Sequence, residues 1–83
     1  MTAFEQIKKK YSKEDLKLII KGLSEKVKNL KECIEDYTTA IRMNPNYAEA
    51  YNNRGKATMD LAEAEKALEF YQVVLTNYDL GED

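Results

Sequence analysis

Apolar side chains recur along this chain at helical spacing. Leu16, Ile19, Ile20, Leu23 and Val27 fall at the i, i+3, i+4, i+7 offsets of one helix face, which predicts an amphipathic helix. Ile34, Tyr37, Ala40 and Ile41 form the stripe of a second helix, and Lys28 with Asn29 is the expected turn between the two. Ahead of them Phe4, Ile7 and Tyr11 share one face, and Thr2 and Glu5 are spaced as a capping box, so a short helix is expected over roughly 3 to 11. Ser12 with Asp15 repeats that signal. Pro45 ends the second stripe, because the residue before a proline is pushed out of the helical region. Asn46 is the expected cap of a third helix containing Tyr51, Gly55 and Leu61, with Glu49 completing the box.

The last boundary is ambiguous. No Gly, Pro, Asn or Ser occurs between Lys56 and Asn77, and Leu61, Ala64, Leu68, Tyr71, Leu75 and Tyr78 repeat in a 3-4-3-4-3 rhythm suited to a long packed helix. Either residues 60–63 bend and begin a fourth helix, or the third and fourth helices merge. The bend is the preferred reading for a monomer. The expected core is Leu16, Ile20, Leu23, Val27, Leu30, Ile34, Tyr37, Ile41, Tyr51, Leu61, Leu68, Tyr71 and Leu75.

Sliding the chain against itself by 34 residues sets Cys33 on Ala67, Ile34 on Leu68, Glu35 on Glu69, Tyr37 on Tyr71, Ala40 on Val74 and Ile41 on Leu75. A period of this size indicates stacked helical hairpins. At Tyr51, Gly55, Ala67 and Tyr71, and at Cys33, Tyr37, Ala40 and Pro45, the chain resembles the tetratricopeptide repeat family. Arg54, Thr58, Val74 and Asp79 depart from that motif, as do Lys17 and Gly22 in the first unit. The resemblance implies an all-α fold of antiparallel hairpins stacked as a short solenoid. It divides the chain into an N-terminal segment, 1–13, a degenerate repeat, 14–47, and a second repeat, 48–81. It also implies that Gly55 lets a paired helix approach closely.

Composition agrees with an all-α chain. The 83 residues include only three glycines and one proline, leaving few places to break a helix. No run approaches the ~20 apolar residues of a membrane span and the start lacks a signal peptide's apolar core, so a cytoplasmic location is expected. The single cysteine, Cys33, is expected to be a packed thiol in a small buried place. The net charge of −2 is unevenly spread. Residues 1 to 31 hold nine lysines against four acidic side chains, and residues 32 to 83 hold four basic against eleven acidic ones, so the molecule is expected to be a dipole.

Enzymatic chemistry finds no support. There is no histidine, so the usual neutral-pH acid/base and most metal-ligand clusters are missing. One thiol without a histidine partner is not an activated nucleophile, and three isolated glycines make no phosphate-cradling loop. No catalytic residue, metal or cofactor is expected.

What remains is a protein-interaction module. The resemblance implies a groove lined by the first helix of each hairpin, which here presents Glu49, Asn52, Asn53, Lys56 and Met59 to a peptide or helix. Asn53 suits an extended peptide because a side-chain amide both donates and accepts. Self-association is the alternative. Phe70, Val73, Val74 and Tyr78 widen the fourth helix's apolar stripe beyond what one neighbour covers, and two units are fewer than a stable array needs, so a homodimer, domain-swapped if the helices merge, is expected to bury the excess. The lysine-rich start, with Lys8, Lys9 and Lys10, offers nucleic acid or an acidic surface as a distant third partner.

Overall fold

The computed structural model describes residues 2–79, apart from the side chains of Ala3, Phe4 and Asp79. The place of Phe4 on the first helix face, and the end of the second unit with Gly81, lie outside the described residues. Three helices follow one another: α1 (Ala3–Lys10), α2 (Lys13–Met43) and α3 (Ala48–Asp79), with no strand among the described residues.

The local start signals act as their spacing requires. The Glu5 amide donates to Thr2 Oγ1 at 3.2 Å. Ser12 and Asp15 form a reciprocal box, the Asp15 amide donating to Ser12 Oγ at 3.1 Å and the Ser12 amide to Asp15 Oδ2 at 3.2 Å. α2 stops at Met43, with Asn44 as an extended C-cap before Pro45. The next start differs from expectation by one residue. α3 begins at Ala48, so Tyr47 precedes it, while the Asn46 amide donates instead to Asn44 Oδ1 at 3.3 Å and tightens the turn.

Both expected interior breaks are absent. α2 runs for 31 residues straight through Lys28 and Asn29, and α3 for 32 residues through 60–63, so the chain follows the merged reading rather than the preferred bend. The cause lies in the phase of the apolar pattern. Positions 16, 20, 23, 27, 30, 34, 37 and 41 of α2 alternate four- and three-residue steps without interruption, and all are buried or half-buried. A turn at 28–29 would break that register, and neither residue there obliges one. In α3 the rhythm extends backwards from Leu61 through Ala57 and Arg54 to Ala50. Two heptad seams, on helices of 31 and 32 residues, close into an antiparallel hairpin.

The core lies along this single seam. Its buried members are Leu16, Val27, Ile41, Ala50, Ala57 and Ala64, and Val74, one position off the rhythm beside Leu75, is buried as well. Three are alanines spaced seven apart on α3, small residues facing the larger side chains of α2. Most of the other expected core positions are half-buried, because two helices cannot enclose a row from all sides. Tyr51 is a correction, being 44% exposed; it lies outside the seam, its ring 5.5 Å from the Arg54 guanidinium carbon. Gly55 is another. A Cβ built there would meet nothing within 4 Å, because α3 continues straight and no paired helix folds back on it.

The hairpin also changes the charge picture. The basic first half of α2 runs beside the acidic last half of α3, so the unlike ends of the sequence offset each other in part within one chain. The triplet Lys8, Lys9 and Lys10 occupies the last turn of α1, where positive charge complements the helix dipole.

Candidate interaction groove

Two open grooves flank the seam at different places. The first, of about 290 Å³, is lined from α2 by Leu30, Cys33 and Tyr37 and from α3 by Asn53, Lys56, Ala57 and Asp60. Its floor is apolar, and an amide, a cation and a carboxylate stand on consecutive turns of α3. Of the five expected binding residues it brings together Asn53 and Lys56. Glu49, Asn52 and Met59 are exposed on α3 but do not line it, Met59 at 69%.

Cys33 is exposed and belongs to this groove, a correction to the packed thiol expected from its match with Ala67. The match assumed a short second helix covered on both sides, whereas one long neighbour leaves this flank of α2 open. Tyr37 and Asp60 were legible only as a core residue and as part of a bend; continuity of both helices makes them wall residues.

The second groove, of about 420 Å³, has Val27 and Leu68 at its base and Lys28, Lys31, Glu32 and Glu35 along its α2 wall. At 100° per residue, Lys31 and Glu35 project from the flank of α2 opposite to Cys33 and Tyr37, so the two grooves occupy opposite faces of the hairpin. Between them Arg54 Nη1 donates to Thr38 Oγ1 at 3.3 Å, tying α2 to α3 near the turn.

The expected self-association set is dispersed. Val74 is fully buried, Phe70 and Tyr78 are half-buried, and only Val73, at 45%, stands exposed. Phe70 meets Tyr71 edge-on with centroids 5.5 Å apart. The Tyr78 hydroxyl is 3.0 Å from both the Lys8 and Tyr11 carbonyl oxygens, which share its single proton as acceptors, and Lys8 Nζ lies 5.2 Å from the Tyr78 ring centroid. α1 therefore packs on the end of α3 within the same chain and takes part of the cover that a second copy was expected to supply. The domain exchange is not forced either, because the last half of α3 packs on the first half of its own α2.

Residues 28–61 match the family model of the TPR repeat. This segment is similar to a TPR repeat and runs from the second half of α2 through the turn at 44–47 into the first half of α3. It includes every residue lining the Asn53 groove. No curated protein and no solved structure matches the chain at significance. Among the described residues no group of three or more His, Cys, Asp or Glu could hold a metal ion, and no helix is long and apolar enough to cross a membrane.

Proposed function

We propose that the chain is a protein-interaction module that takes a peptide or helical segment of another protein into the groove between Tyr37 and Asn53. The observation that carries this reading is the convergence of Asn53, Lys56 and Asp60 over the apolar floor of Leu30, Tyr37 and Ala57, inside the segment that matches the TPR repeat. An extended peptide brings unpaired backbone groups, which a side-chain amide satisfies in both senses. Lys56 and Asp60 add charge selection at the rim. Glu49, Asn52 and Met59 extend the contact along the exposed side of α3 for a longer ligand. The role is that of a non-catalytic adaptor working in the cytoplasm. A homodimer is the second reading, favoured by the half-buried apolar row. Nucleic-acid binding is disfavoured by the acidic helix beside the lysine-rich start.

A random peptide library displayed on phage supplies ligands that test the groove. Selected peptides should shift the NMR signals of Leu30, Tyr37 and Asn53, and the pair Asn53→Ala with Lys56→Ala should weaken them roughly tenfold or more while leaving helicity unchanged. Peptides that bind equally well to the double variant would move the site elsewhere.

A further inference from the structure

The second groove carries a self-complementary pattern of charge. Along one flank of α2 the order is Lys28, Lys31, Glu32, Glu35, two cations followed by two carboxylates, above the apolar base of Val27 and Leu68. A two-fold axis through the Lys31 and Glu32 step, with the two α2 helices antiparallel, sets Lys31 of each copy opposite Glu32 of the other and Lys28 opposite Glu35. An isologous contact requires this kind of symmetry within one patch.

The surface area points the same way. The chain exposes 6113 Å², whereas a compact monomer of 9.6 kDa is expected to expose about 5,100 Å². That surplus belongs to the elongated outline as a whole, 55 × 21 × 16 Å, which leaves area along the hairpin for a neighbour to cover; a standard interface takes ~800 Å² from each partner. The radius of gyration, 17.2 Å, against about 12 Å for a compact chain of this length, reflects the same open two-helix shape. Apolar side chains lie along the path. Leu61, Leu68 and Leu75 recur every seven residues on the groove side of α3, and each remains half-buried in the single chain.

We propose that a second copy of this chain docks on the groove formed by Val27 and Leu68, making an antiparallel four-helix bundle whose register is set by the Lys28, Lys31, Glu32 and Glu35 pairs. The contact pairs flanks opposite to the Asn53 groove, so the dimer leaves both peptide grooves open. It uses the native hairpin and exchanges no helix.

Sedimentation equilibrium of the full chain, with charge reversal and mixing, tests it. Wild type is expected to approach twice the chain mass as concentration rises. Lys28→Glu with Lys31→Glu, and separately Glu32→Lys with Glu35→Lys, put like charges opposite each other in both copies and should each weaken dimerisation on the order of 10- to 100-fold. An equimolar mixture of the two variants restores opposite charges and should form a heterodimer. All four residues are exposed, so far-UV circular dichroism of the variants should match wild type. A wild type that stays monomeric, a dimer indifferent to both reversals, or variants that fail to associate on mixing would overturn the proposal. The peptide reading has separate variants: Asn53→Ala with Lys56→Ala should leave the dimer mass unchanged.

Discussion

Replacing Ala62 with proline should cost ~3 kcal/mol or more, because Ala62 is an exposed interior residue of α3 whose amide bonds to the preceding turn. Proline removes that donor and drives its ring into the carbonyl one turn back. Small domains are stable by only about 5–15 kcal/mol, so the loss is a large share of the total. The Ala62→Gly variant keeps the donor and should cost only ~1 kcal/mol. Chemical denaturation followed by circular dichroism measures both. A bend at 60–63 would tolerate either residue, so a proline variant as stable as wild type would contradict the continuous helix.

Leu16→Ala should be the most damaging truncation in α2, at ~2–5 kcal/mol. Leu16 is fully buried, and the antiparallel register that brings Thr38 to Arg54 and Val27 to Leu68 puts it level with the last turns of α3, near the fully buried Val74. Leu18, two residues on, is 68% exposed. Its replacement by alanine should change stability within about 0.5 kcal/mol. The contrast separates packing from a general loss of leucine, and equal effects at the two positions would mean that the seam is misassigned.

The fold was legible where local chemistry decides it. The caps at Thr2 and Ser12 and the stop before Pro45 depend on residues within a turn of each other. The two continuous helices were harder to read because a turn was placed at 28–29 between two apolar stripes and the repeat resemblance supplied a bend at 60–63, neither of which a Gly or Pro in this chain enforces. The stronger signal was the unbroken heptad rhythm of α2, which crosses Lys28 and Asn29 in phase. The alanines of the core were hidden for another reason. Ala50, Ala57 and Ala64 matter through small volume at seven-residue spacing, and a search for large apolar residues passes over them. The cover of Tyr78 by α1 joins residues some seventy positions apart, a contact that no local pattern records.

The groove was half legible for related reasons. Asn53 and Lys56 follow from the resemblance to the repeat, which puts them on the groove side of one helix. Cys33, Tyr37 and Asp60 join them only because α2 and α3 run straight past each other in this register. The acidic and basic halves of the sequence behave alike: they read as separate ends until the hairpin lays part of each beside the other.

The central claim is that α2 and α3 are two uninterrupted helices, and a single distance tests it. Spin labels at Lys17→Cys and Thr39→Cys, both exposed positions of α2, are placed in a Cys33→Ser chain diluted with unlabelled protein. Twenty-two residues of continuous helix separate the two backbone positions by about 33 Å at ~1.5 Å per residue. A turn at 28–29 would fold the halves back as neighbours with axes ~8–10 Å apart. Pulsed dipolar spectroscopy should give one population near the longer distance, and a dominant population near the shorter one would contradict the two-helix account.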